Sequence, residues 1–120
     1  MKKHLMIGLL AVALIVLGIT PAPAADYSIK IGGGPTGGTF NTFTNAMAVF
    51  VPKVNPNIKA SSVGSGGSVE NLKRVHNGES DFGLCYAVDS ALGYAGKLPQ
   101  DPAKYDKIRS MGYLYGAPAQ

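Results

Sequence analysis

Hydrophobic positions along the chain change their period several times, and each change marks an element. Residues 27–31 (Tyr-Ser-Ile-Lys-Ile) alternate with a two-residue period, which predicts a strand. Phe40, Phe43, Met47 and Phe50 recur at helical spacing, with Thr39 placed as an N-cap and Pro52 ending the pattern. Asn55-Pro56-Asn57 is a turn, and residues 58–63 read as a second strand. Val69, Leu72 and Val75 share one helical face. Glu70 near the start of that helix and Lys73 and Arg74 near its end suit the helix dipole, and Asn77-Gly78 supplies a C-terminal cap. Residues 81–87 are mostly apolar, as in a strand buried on both faces of a parallel sheet. A short helix over 89–95 closes at Gly96, a polar loop with Pro99 and Pro102 follows, and residues 108–115 read as a fourth strand. The order β-α-β-α-β-α-β predicts an α/β open sheet with right-handed crossovers.

The first 24 residues have a different pattern. Lys2, Lys3 and His4 precede residues 5–19, which carry no charged or strongly polar side chain, and Thr20-Pro21-Ala22-Pro23-Ala24 follows. This is the tripartite arrangement of a secretory signal peptide, with cleavage expected after Ala24. The apolar run is shorter than the ~20 residues a spanning helix needs. The expected organisation is therefore a leader over 1–24 and a lobe over 25–120, exported to a periplasmic or other extracytoplasmic compartment. Removing the leader takes Lys2 and Lys3 from the 11 basic residues and nothing from the 7 acids, so a formal charge of +4 becomes +2. That is no footprint for nucleic acid. A single cysteine excludes a disulfide-stapled scaffold, and the scarcity of His and Cys gives no metal site.

Two glycine-rich stretches fall where strands lead into helices, the position at which open α/β sheets bind ligands. Gly32-x-Gly34-x-x-Gly37 matches the dinucleotide fingerprint in form, but no Asp or Glu lies between Asp26 and Glu70 to hold a ribose. Gly32 and Gly37 also have P-loop spacing, yet Gly38 stands where the phosphate-binding lysine belongs. What remains is a loop of exposed backbone N–H groups ending in a Thr hydroxyl at a helix N-terminus, a receptor for a smaller anion such as a carboxylate. Ser65-Gly66-Gly67-Ser68 repeats the arrangement one crossover later.

Other reactive side chains have plainer readings. His76 falls in the last turn of a helix, where it caps. Cys85 lies in a buried-strand pattern and reads as a core thiol. Neither Ser65 nor Ser68 sits in Gly-x-Ser-x-Gly, and His76 lies about two helical turns beyond Ser68, so the pattern argues against a serine hydrolase. Arg74 is too far into its helix to clamp a ligand at the helix start. No cofactor is called for.

Three motifs in order, from Ile31-Gly32-Gly33-Gly34-Pro35-Thr36-Gly37-Gly38-Thr39-Phe40 through Ser65-Gly66-Gly67-Ser68-Val69-Glu70-Asn71-Leu72 to Asn77-Gly78-Glu79-Ser80-Asp81-Phe82-Gly83, resemble the extracytoplasmic solute receptors of TRAP transporters, specifically the TAXI subfamily. The resemblance runs from about Tyr27 to Gly96 and loosely to Tyr115. It implies most of the first lobe of a two-lobed, type II periplasmic-binding-protein-like fold, whose relatives are about twice this length or more. The function implied is capture of a small organic anion (a dicarboxylate, 2-oxo acid or acidic amino acid such as glutamate) for delivery to TRAP membrane permease subunits. Carried over by position, Gly37, Gly38, Thr39 and Phe40 form one binding loop, Ser65, Gly67 and Ser68 a second, and Tyr86 and Ala87 line the same crevice. No catalytic residue is implied. An exported enzyme lobe of similar topology, a transferase or lyase acting on a small anion, is the reading from a different class, and turnover of the bound anion distinguishes it.

Overall fold

The computed structural model describes residues 26–116. The leader read over 1–24 lies outside them. Six elements alternate as expected: β1 (Tyr27–Gly32), α1 (Thr39–Val54), β2 (Ile58–Val63), α2 (Ser68–His76), β3 (Phe82–Gly83) and α3 (Ala87–Ala95). The three strands form one parallel sheet in the order β2-β1-β3. Tyr27 lies opposite Ile58 at one end of the longer pair and Gly32 opposite Val63 at the other, while Ile31 and Gly32 face Phe82 and Gly83 on the second side. The architecture is an α/β open sheet consistent with a periplasmic-binding-protein-like lobe.

The strand order carries a geometric consequence. The first crossover moves from β1 to one neighbour, and the second passes back over β1 to the other. With right-handed connections, that reversal puts α1 and α2 on opposite faces of the sheet. α1 packs on β2 and β1, whereas α2 packs on β3 and α3. β1 is thus covered from both sides at its carboxyl end, where Ile31 is buried.

The apolar core lies between α2, α3 and the loop beyond. Leu72, Leu98 and Tyr105 are buried together, with Val69, Cys85, Leu92 and Ile108 packed around them. Gly93 lets these layers approach: a Cβ there would stand 3.1 Å from Leu72 and 3.2 Å from both Leu98 and Tyr105. The Gly93 carbonyl also accepts the Tyr105 N–H at 2.9 Å, tying the loop to α3.

Several boundaries differ from expectation, each for a local reason. Gly38, not Thr39, is the N-cap of α1, and Thr39 is the first helical residue. Pro52 lies inside the helix, which runs on to Val54; in the last turn a proline forfeits a single backbone bond and leaves little helix to break. β3 keeps only Phe82 and Gly83 of the seven expected residues, because side chains of α2 take over the backbone groups that follow: Asn71 donates to the Leu84 carbonyl, and Ser68 accepts the Tyr86 N–H. The fourth strand does not form. Residues 108–115 are irregular, with Met111 and Tyr113 each 81% exposed. The segment's apolar side chains pack singly in different places, Ile108 against the α2–α3 core and Tyr115 against α1, so no common face exists for a strand to bury.

Candidate functional site

Strand order 2-1-3 makes the carboxyl ends of β1 and β3 a topological switch point, from which successive loops leave in opposite directions and open a crevice. All three strand-to-helix loops meet there. Their glycines let the backbone turn tightly: Gly37 has φ +83° and Gly67 φ +108°, the second with ψ −147°, a conformation essentially restricted to glycine.

A cavity of about 310 Å³ lies in this crevice, lined by Pro35, Gly38, Thr39, Phe40, Gly66, Gly67, Ser68, Tyr86 and Tyr115. The expected residues Gly38, Thr39, Phe40, Gly67, Ser68 and Tyr86 are therefore brought together. Gly37 is one residue outside the lining in its turn, Ala87 opens α3 just behind Tyr86, and Ser65 is turned away. The Ser65 hydroxyl donates to the Gly33 carbonyl at 2.9 Å and accepts the Gly67 N–H at 3.1 Å.

The lining contains the N-cap of each helix among the described residues: Gly38 for α1, Gly67 for α2 and Tyr86 for α3, and none makes a side-chain capping bond. The first turn of a helix has N–H groups with no intrahelical acceptor, and these bear partial positive charge. Within the helices the ladders begin at Thr42 N–H to Gly38, Asn71 N–H to Gly67 and Ser90 N–H to Tyr86, so the amides just before those positions remain available. Four N–H groups of the lining are spoken for: Gly38 donates to the Pro35 carbonyl, Gly66 to Glu70 Oε2 at 2.6 Å, Gly67 to Ser65 Oγ and Tyr86 to Ser68 Oγ.

Aromatic rings form the other wall. Phe40 and Tyr86 pack tilted at 5.1 Å between centroids, and Tyr115 stacks on Phe43 at 4.8 Å while meeting Phe40 edge-on. Burial, and secondarily the nearby Tyr86, raises the Tyr115 phenol above its ordinary range, so it stays neutral. Tyr115, Pro35 and Gly66 are lining residues the sequence reading did not select. Pro35 and Gly66 sit inside the two glycine motifs and were within reach; Tyr115 lies far along the chain in a segment read as a strand, where no local pattern marks it.

The imidazole, thiol and guanidinium groups of the described residues point elsewhere. Among the described residues, the lining has no carboxylate, imidazole or thiol. His76 Nδ1 accepts the Lys107 N–H at 3.4 Å, and its ring meets Tyr105 edge-on. Cys85 donates to the Ser68 carbonyl, and burial pushes its thiol up to about 11, far from a ready thiolate. Arg74 pairs with Glu70 and donates to the Gly64 carbonyl, and Arg109 donates to carbonyls of its own loop. Neither guanidinium lines the cavity. The arrangement offers backbone donors on one side and rings on the other.

A family model matches residues 31–120, that of the NMT1-like family. No curated protein matches the chain.

Proposed function

This chain belongs to the NMT1-like family, a periplasmic-binding-protein-like family of extracytoplasmic solute-binding proteins, and on that premise we propose that it is the ligand-gripping first lobe of a TRAP-type receptor of the TAXI kind. Family membership carries a small-molecule ligand and a membrane transporter as partner. The ligand class we assign is a small organic anion: a dicarboxylate, a 2-oxo acid or an acidic amino acid such as glutamate. The observation that carries the assignment is the convergence of three helix N-termini without side-chain caps on one cavity. Amides aimed at a common point select negative charge without a cationic side chain. The aromatic wall of Phe40, Tyr86 and Tyr115 takes the hydrocarbon part of the ligand. The proposed ligand residues are Gly38, Thr39, Phe40, Gly67, Ser68 and Tyr86, joined by Tyr115, with Gly37, Ser65 and Ala87 shaping the loops that hold them. Binding without turnover is part of this proposal. The proposed leader over 1–24 delivers the lobe to the membrane transporter's outer side, and among the described residues no helix is long and apolar enough to cross a membrane.

The test is calorimetric titration of the chain with succinate, 2-oxoglutarate and glutamate, followed by analysis of the recovered ligand. Weak binding that Gly67→Val abolishes, with the ligand recovered unchanged, is the expected result, because domain closure supplies the second wall of a two-lobed site. Recovery of a converted product refutes the receptor reading in favour of an enzyme lobe, and failure of all three anions refutes the ligand class.

A further inference from the structure

We propose that Asn71 is the positioning residue of the crevice: without lining the cavity, its carboxamide ties the exits of β1 and β3 together and so sets the separation of the loops on either side. The consequence for ligand binding rests on the anion-receptor reading above; the tie itself does not.

The need for such a residue follows from the topology. The β1–β3 ladder ends where the Leu84 N–H donates to the Gly32 carbonyl at 3.0 Å. Beyond that point the chains diverge, and the next carbonyls, Gly33 on one side and Leu84 on the other, have no strand partner. Gly33 is buried, so its carbonyl requires a donor from the protein. Asn71 Nδ2 donates to the Gly33 carbonyl at 2.6 Å and to the Leu84 carbonyl at 2.7 Å. A primary amide is the neutral side-chain group that carries two donors on one planar nitrogen, which is what two converging carbonyls demand. Asn71 has no solvent exposure, so water does not compete for either bond.

Two further features mark the arrangement as specific. With both Nδ2 protons committed, Oδ1 has no freedom to seek a partner, and it is left buried without a hydrogen bond. It abuts Gly32, where a Cβ would stand 2.5 Å away, and a Cβ on Gly83 would stand 2.9 Å from that of Asn71. Glycine on both strands is the condition for the carboxamide to enter. The Gly33 carbonyl accepts the Ser65 hydroxyl as well. One carbonyl thereby links the loop after β2 to the tie, and all three loops around the cavity are held by a single connected set of bonds.

The experiment uses nitrogen-15 NMR on the full chain. The Asn71 side-chain amide, identified by its absence in Asn71→Asp, is expected to exchange with solvent ~100-fold more slowly than the exposed amides of Asn55, Asn57 and Asn77. Exchange at the same rate overturns the proposal. In Asn71→Asp an ionised carboxylate faces two carbonyl oxygens, whereas the protonated acid regains one donor. The backbone resonances of Gly33, Leu84 and Tyr86 are therefore expected to titrate together in the variant, returning toward their wild-type positions as pH falls, with no such titration in the wild-type chain. A folded variant in which these resonances stay at wild-type positions at all pH values also overturns it. Should the variant not fold, the wild-type amide is assigned through its scalar coupling to the Asn71 backbone and its exchange rate decides alone, and Ser65→Ala, which removes the hydroxyl's bonds to Gly33 and Gly67, is expected to shift Gly33 and Gly67 while leaving Leu84 in place. Succinate added to the wild-type chain separates the two readings: a protected amide with no succinate-induced shift at Gly38 or Gly67 retains the tie and defeats the anion assignment.

Discussion

At the scale of single residues, the largest fully buried side chains among the described residues, Thr44 and Asn71, are both polar, and both stand against glycines at the end of β1. Thr44 Oγ1 bonds to Ser62 Oγ at 2.7 Å and donates back into its own helix turn. A Cβ on Gly33 would lie 2.4 Å from that oxygen. Gly33→Ala therefore forces either the sheet or α1 to move and is expected to cost ~1–3 kcal/mol, as overpacking does. Gly64→Ala is the control: its Cβ meets nothing nearer than 3.9 Å, and its φ lies outside the region that excludes side chains. Urea unfolding of both variants checks this, and equal midpoints would show that the close approach at Gly33 carries no weight. The glycine runs Gly32-Gly33-Gly34 and Gly66-Gly67 are legible in the sequence as loops that bring backbone to a ligand. Their second role is not. That Asn71 and Thr44 project at Gly32 and Gly33 depends on α1 and α2 approaching opposite faces of β1, and nothing local to either helix announces it. Ser65 illustrates the same limit from the other side, since its hydroxyl reads as a ligand donor until the Gly33 carbonyl is found beneath it.

At the scale of elements, the alternation of strand and helix is written in the hydrophobic periods, and the caps that glycine enforces match the structure closely. Gly78 at φ +75° ends α2 with the Glu79 N–H on the Arg74 carbonyl and its own N–H on Val75, and Gly96 at φ +68° ends α3. Where tertiary side-chain bonds compete with the ladder, the period misleads: the apolar run after Asp81 is extended chain held by Asn71 and Ser68 rather than by a neighbouring strand. The loop beyond α3 is fixed by a comparable bond. The Tyr105 hydroxyl donates to Asp101 Oδ2, and Asp101 Oδ1 accepts the Ala103 N–H at 3.1 Å. These bonds hold the Asp101 carboxyl below its ordinary range, Tyr105 first and Ala103 second. Burial, reinforced by Asp101, pushes the Tyr105 phenol up to about 12. The signs are opposite at the two ends of the pH scale. The depressed carboxyl contributes stability that is present above its unfolded pKa and is lost as pH falls through the folded one. The raised phenol contributes stability that is present below its ordinary value of 10.0 and is lost as pH rises toward about 12. Tyr105→Phe is expected to flatten both limbs of the stability profile and to lower stability at neutral pH, because the bond to the charged carboxylate is lost. Thermal melts from pH 2 to ~12 read this directly, and an unchanged acid limb in the variant would mean that Asp101 is held by other groups.

At the scale of the whole molecule, the balance between covered and uncovered apolar surface decides how the lobe behaves in solution. The helical period of Phe40, Phe43, Met47 and Phe50 suggests a buried stripe, yet the side of α1 laid on the sheet is the one bearing Thr44, and Phe50 remains 64% exposed. Val49 and Val54 are 61% and 70% exposed, and a shallow groove lined by Phe43, Ala46, Met47, Val49 and Phe50 runs along the helix. α1 is apolar on two sides because the sheet takes one and the aromatic cluster at Tyr115 takes only the N-terminal end of the other. A contiguous exposed apolar strip of this kind attracts apolar solutes from water. The chain is expected to enhance the fluorescence of an anilinonaphthalene dye in its native state, and Val49→Lys with Phe50→Lys is expected to remove most of that signal. Neither side chain supports the core, so the unfolding free energy should stay within ~0.5 kcal/mol of wild type. The dye is itself an organic anion with aromatic rings, so the crevice competes for it; excess succinate occupies the crevice but leaves the α1 strip open. Dye fluorescence that succinate abolishes and the lysine pair leaves intact would place the accessible apolar surface at the Phe40, Tyr86 and Tyr115 wall instead. Fluorescence that responds to the lysine pair alone identifies α1 as the dominant uncovered face, separated from ligand capture although both are built on the same helix.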